Sequence, residues 1–154
     1  MLAVSKTKSR PFPWKCFRCR QSAVVPVTIS YTVEVNHDGV VHLIEIPALE
    51  VPRCQACGEL VFDNIADEQI SAAVRCRLHL LKPTDINTGR ERLNLTPSEL
   101  AEKLGVTAKT IADWEEGLAI QPRAMDNFLR VYFAVPEVRE FLARERCEVE
   151  VLVG

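Results

Sequence analysis

The stretch from Leu95 to Gly117 constrains the fold most, because it specifies two short helices and the turn between them. It reads L-T-P-S-E-L-A-E-K-L-G-V-T-A-K-T-I-A-D-W-E-E-G. Thr96 stands where a helix is capped, Pro97 suits the first helical position, and Glu99 sits where it completes a capping box. Leu100, Ala101 and Leu104 follow at helical spacing and share one face. Gly105 ends that helix, since a sharp turn needs a residue that tolerates positive φ. Val106 can fill the space beneath the turn. Thr107 caps a second helix, with Ile111 and Trp114 pointing inward and Gly117 closing it. The small Ala101 lets the two helices cross closely. This spacing predicts a helix-turn-helix.

The same residues resemble the helix-turn-helix of the Xre/Cro repressor family, whose pattern is roughly L-[ST]-Q-x-E-L-A-x-x-L-G-V-[ST]-x-x-x-I-x-x-W-E-x-G. The resemblance implies that the second helix lies in the major groove of double-stranded DNA. Its base-reading positions fall on Lys109 and Asp113, one turn apart. Lys109 can donate to guanine O6 or N7, and Asp113 can accept from cytosine N4. The two also read as a plain i, i+4 surface ion pair. Asp113 departs from the family, which often has a basic residue there. Pro97 departs too, replacing the usual glutamine that helps anchor the DNA backbone. Thr96, Ser98, Thr107, Thr110 and Arg123 remain as phosphate contacts.

Cys16-Phe17-Arg18-Cys19 and Cys54-Gln55-Ala56-Cys57 are two C-x-x-C knuckles. Together they offer four thiolates to one tetrahedral Zn²⁺, a structural rather than a catalytic site, because four cysteines leave no open position. Disulfides compete with this reading, but no secretory signal precedes the cysteines. Redox chemistry of the C-x-x-C type lacks the βαβ setting that activates such a thiol. Cys76 and Cys147 have no such partner and read as small buried or half-buried thiols. His37 falls in a turn, His42 on a strand and His79 on a helix; none is expected to ligate metal.

The interval between the knuckles reads as a sheet. Val27, Ile29, Tyr31, Val33 and Val35 alternate with polar residues, Asn36-His37-Asp38-Gly39 is a turn, and Val40 to Ile46 returns. Pro47 interrupts that strand, and Ala48 to Pro52 is expected as a third. A sheet this small needs the metal, whose binding contributes about 10–16 kcal/mol of folding free energy in peptide systems. Asp63 to Leu81 reads as a helix with Arg75 and Arg77 facing water. Pro83 disfavours helical geometry before it, which places a hinge at Lys82-Pro83. Asp85 or Asn87 opens the next helix, running through Leu93. Pro122 starts another, with Met125, Phe128, Leu129, Tyr132 and Phe133 on its apolar side. Pro136 starts a last one, with Val138, Phe141 and Leu142. Cys147 to Val153 alternates as a short strand or an ordered tail.

The fold class expected is therefore α+β: a basic flexible tail over 1–14, a small zinc-bound β-domain with its closing helix over 15–82, an all-α helix-turn-helix domain over 83–146, and a C-terminal strand or tail over 147–154. No apolar run approaches the roughly 20 residues needed to cross a membrane. With no secretory signal at the start, the expected compartment is the cytoplasm. Up to Lys82 the chain carries ten Lys and Arg against eight Asp and Glu; beyond it, nine against thirteen. An acidic helix-turn-helix half argues against tight non-specific DNA binding, since phosphate neutralisation supplies that affinity.

A C-x-x-C/C-x-x-C β-domain joined to an Xre-type helix-turn-helix resembles the MqsA (YgiT-type zinc finger) antitoxins of type II toxin–antitoxin systems. The resemblance covers about Cys16 to Leu142 and is densest from Arg90 to Pro122. It implies zinc on Cys16, Cys19, Cys54 and Cys57, an mRNA-cleaving toxin as the partner of the N-terminal domain, and a homodimeric C-terminal domain that represses its own operon. No nucleophile–base pair or open metal site is visible, so an enzyme is not expected. Two other readings stay open. One is a stand-alone regulator of the same build. The other is a zinc-stabilised interaction adaptor whose helix-turn-helix no longer binds DNA.

Overall fold

A computed structural model describes residues 10–144. They form two compact units, divided between Val74 and Arg75. The first holds a three-stranded antiparallel sheet and the second is helical, an α+β arrangement as expected. The expected strand or tail at 147–154, Cys147 within it, and most of the expected basic tail lie outside the described residues.

In the first unit β1 (Trp14–Lys15), β2 (Ser22–His37) and β3 (Val40–Cys54) run in the order β1-β2-β3. The turn forms where Asp-Gly placed it. Asp38 and Gly39 both take positive φ (54° and 79°), and the Gly39 N–H donates to the Asn36 side chain at 3.1 Å. This local geometry matches the right-handed twist of the flanking strands. It sets the register at His37 opposite Val40.

Two expectations are corrected here. Pro47 does not end the returning strand, and Ala48–Pro52 is not a separate one. β3 continues through both, and the pairing shifts between Ile29, opposite Leu49, and Tyr31, opposite Ile46. A residue without an N–H is tolerated at such a bulge because no ladder bond is lost there. The third strand is instead β1, in which Trp14, expected to end the loose tail, pairs with Val24.

One face of the hairpin is apolar: Val27, Ile29, Tyr31, Val33, Ile46, Leu49 and Val51 cluster there with Ala66, Ile70 and Ala73. The last three lie on α1 (Asn64–Arg77), which starts where Asp63 accepts from the Ala66 N–H at 2.9 Å. Gln69 of α1 places its amide against the outer edge of β3, accepting from the Glu50 N–H and donating to the Glu50 carbonyl, both at 3.0 Å. A side chain thus occupies a strand edge that would otherwise be open for pairing.

The second unit begins inside α1. That helix ends at Arg77, not Leu81, and His79 lies beyond it with φ 53° rather than on it. Arg75 does not face water: it is buried and donates to the Ala119 carbonyl at 3.0 Å, and burial lowers its pKa. Cys76 is exposed rather than buried. Pro83 does not break a helix; it opens α2 (Pro83–Arg92), with Lys82 as cap and the Asp85 carboxylate accepting from the Lys82 N–H at 2.9 Å.

Then come α3 (Pro97–Leu104), α4 (Ala108–Glu116), α5 (Arg123–Ala134) and α6 (Pro136–Ala143). Ile86, Leu100, Ala101, Leu104, Ile111, Trp114, Leu129 and Tyr132 form their buried core, with Met125, Phe128, Phe133, Val138 and Leu142 packed around it. Phe141 stays out, two-thirds exposed (67%). Gly89 lets α2 approach α5: a Cβ there would meet the Phe133 ring at 2.5 Å.

Candidate metal centre and nucleic-acid interface

The two knuckles are the same turn built twice. In the first, the Cys16 N–H donates to the Gln21 carbonyl at 2.8 Å and the Arg20 N–H to the Cys16 carbonyl at 3.0 Å. In the second, the Cys54 N–H donates to Glu59 at 2.9 Å and the Gly58 N–H to Cys54 at 2.8 Å. The residue after each C-x-x-C is left-handed: Gly58 at φ 79° and Arg20 at φ 66°. Glycine meets that requirement at little steric cost, whereas arginine is a non-glycine residue held there.

The turns bring Cys16, Cys19, Cys54 and Cys57 together, all four sulfurs lying within 4.8 Å of one another. Cys16 Sγ is 3.7 Å from Cys57 Sγ, and Cys19 Sγ is 3.6 Å from Cys54 Sγ. A disulfide would need about 2.05 Å. A tetrahedron with metal–sulfur bonds of about 2.3 Å has edges of about 3.8 Å. The four cysteines are therefore positioned to bind a metal ion, each pairing crossing from one knuckle to the other.

Backbone amides, burial and hydrogen bonds among the sulfurs set the thiol chemistry. Hydrogen bonds from the Cys57 and Ala56 amides outweigh burial and bring Cys54 down to about 7. The Glu59 amide pulls Cys57 the same way, but burial and the three neighbouring sulfurs push it up to about 12. At Cys19 the Gln21 amide lowers the pKa, and burial with the Cys54 and Cys16 sulfurs raises it further than that. Four sulfurs this close cannot all lose their protons unless a cation sits among them. Arg18 bridges the knuckles from outside, 2.7 Å from Glu59. Val24, Trp14 and Val61 pack against the sulfurs on the inside.

In the second unit α3 and α4 meet as the motif requires. Thr96 accepts from the Glu99 N–H at 3.2 Å, and Glu99 accepts from the Thr96 N–H at 2.7 Å. That amide holds the Glu99 carboxyl below its usual range. Gly105 is left-handed at φ 75° and Gly117 at φ 76°. Thr107 accepts from the Thr110 N–H at 3.2 Å, and the two hydroxyls lie 2.9 Å apart. Ser98 is exposed on α3. Lys109 and Asp113 come together as an ion pair of 2.5 Å on the outer face of α4. Arg123 is directed at its own chain, donating to the carbonyls of Leu78 and His79 and lying 3.7 Å from Asp126.

Two buried polar anchors hold this unit, and spacing hints at only one bond of the second. Arg90 grips Glu115 with two parallel bonds of 2.6 and 2.9 Å and donates to the Leu95 carbonyl at 2.8 Å. Asn87 adds a bond to Glu115 at 3.1 Å. Glu115 in turn raises the Arg90 pKa. The ends of α2 and α4 are thereby joined by the bidentate geometry that a guanidinium alone provides. Asp126, fully buried, accepts from the Leu81 N–H at 2.8 Å, from Gln121 at 3.0 Å and from Arg130 at 2.7 Å. The only sequence signal was the i, i+4 spacing of Asp126 and Arg130.

Residues 86–133 match the family model described as Helix-turn-helix. The match runs from Ile86 of α2 to Phe133 of α5, the span that encloses the helical core. No curated protein matches the chain. No described helix is long and apolar enough to cross a membrane.

Proposed function

We propose that this protein is a sequence-specific transcriptional repressor of the antitoxin type: a homodimer on a palindromic operator, with a structural zinc ion on Cys16, Cys19, Cys54 and Cys57. The observation that carries the DNA-binding part is the helix-turn-helix match over 86–133, which falls on the capped α3–Gly105–α4 geometry. Half-sites for such a dimer lie about 34–36 Å apart. Support for zinc comes from four thiol donors at tetrahedral spacing, the arrangement that suits zinc or iron among common metals. Metal analysis of the purified chain separates these: one zinc per chain and no colour supports zinc, and a red iron-bearing protein refutes it.

A partner-binding role for the first unit draws support from its hairpin end. Val40, Val41 and Leu43 are each more than half exposed there, Leu43 by 69%. Exposed apolar side chains next to one another mark a surface that another protein can cover. The antitoxin reading makes that protein an mRNA-cleaving toxin. Co-expression with the product of an adjacent small basic reading frame tests it; a stand-alone regulator would show no complex.

Charge favours a second reading, an adaptor that does not bind DNA. The exposed or half-exposed positions of α3 and α4 carry Glu99, Glu102, Asp113 and Glu116 against Lys103 and Lys109. A gel shift on the chain's own promoter at low and moderate salt decides between the two. A shift that weakens with salt supports the repressor. No shift at either salt, from a folded dimer, supports the adaptor.

A further inference from the structure

The outward residues of α4 leave few ways to read a base. Ile111 and Trp114 are buried, Glu115 is held by Arg90, and the Thr110 hydroxyl lies against Thr107. Ala108 and Ala112 carry no hydrogen-bonding group, and Glu116 is the last residue of the helix. Lys109 and Asp113 remain, and they are already joined at 2.5 Å, with side-chain exposures of 81% and 25%. Whatever α4 recognises, it meets an ammonium donor and a carboxylate acceptor side by side.

We propose that the Lys109–Asp113 couple reads a single G·C base pair as a unit, Lys109 Nζ donating to guanine O6 and N7 and Asp113 Oδ accepting from cytosine N4. In the major groove the O6 acceptor and the N4 donor of one G·C pair are hydrogen-bonded to each other, about 2.9 Å apart. The Nζ–Oδ2 separation in the ion pair is 2.5 Å, so the couple opens by about 0.4 Å to match that spacing. Both N4 hydrogens are then used, one on guanine O6 and one on the carboxylate, while Nζ keeps Asp113 and gains guanine. An A·T pair also shows one donor beside one acceptor, but thymine's methyl group crowds its O4, and guanine N7 offers Lys109 a second acceptor beside O6. The couple carries no net charge, so it contributes to discrimination and little to phosphate attraction.

The inference rests on the DNA-binding reading, and one experiment separates the two. The wild-type chain, Asp113→Asn and Lys109→Met are each used to select from a random duplex library. The wild type should enrich a half-site with one G·C position preferred over A·T by about 5- to 140-fold. Asp113→Asn should move that same position toward A·T, since an amide pairs with adenine N6 and N7, and Lys109→Met should flatten it, with the remaining positions unchanged. Variants that alter different positions, or none, overturn the couple alone. A wild type that enriches no sequence overturns the DNA-binding reading and the couple with it.

Discussion

The two units of this chain bury their apolar side chains to different degrees. The helical unit has eight buried residues in one cluster, drawn from α2 to α5, and a further shell packed around them. The sheet unit has one cluster of four buried residues beneath α1 and another made of Val24 with two of the metal-site cysteines. Most of the apolar residues of β2 in that sheet are only half-buried. A hairpin covered on one face by a single helix buries too little to offset chain entropy, whereas short capped helices around a shared core bury enough. On the proposed zinc reading, the metal held by the sulfur cluster supplies the part of folding that the sheet does not.

Removing the metal should break this comparison with the largest effect. Chelation, or Cys54→Ser, should abolish the backbone amide signals of the sheet unit in an NMR spectrum while those of α2–α5 persist, a loss of about 10 kcal/mol or more on the zinc-peptide scale. A sheet that survives chelation would refute the contrast. In the helical unit the comparable lever is the Arg90–Glu115 grip, about nine-tenths buried on both sides. Glu115→Ala should destabilise that unit by about 3–5 kcal/mol in denaturant unfolding, because it strands a buried guanidinium.

A smaller effect sharpens the contrast through pH. Burial alone would raise the Asp126 pKa, but hydrogen bonds from Arg130, the Leu81 N–H and Gln121 outweigh it and hold the carboxyl below its usual value. Its contribution is therefore present above the ordinary carboxyl pKa of about 4 and is lost as pH falls through the depressed folded value. Thermal melting of the helical unit should decline over that acid window, and Asp126→Asn should flatten the decline. Smallest of all, Thr107→Ala should cost about 1 kcal/mol, read from the shift in the denaturation midpoint, since it removes only one helix cap.

Much of this was legible in the order of residues. The caps at Thr96 and Thr107, the left-handed Gly105 and Gly117, and the Asp38-Gly39 turn each depend on neighbours a few positions away. The cysteine quartet was legible too, because C-x-x-C spacing already specifies the knuckle. Other features were not. The burial of Arg75 depends on the Ala119 carbonyl, a partner far along the chain. Pro47 looked like a strand end, and only the pairing partner across the sheet shows that β3 absorbs it as a bulge. Arg123, expected as a phosphate contact, also donates to the carbonyls of His79 and Leu78, 44 and 45 residues earlier in the chain, partners that spacing does not report.

By itself, then, the order of residues determined the helix-turn-helix and the four candidate metal ligands, since both are written in short-range spacing and cap chemistry. Tertiary structure alone decided how Glu115 meets Arg90, how Asp126 collects its three donors, and how two distant knuckles bring their sulfurs to metal-binding distance. The physical reason is that a buried polar group is stable only when its partner is delivered by another part of the chain, and sequence spacing does not report that delivery.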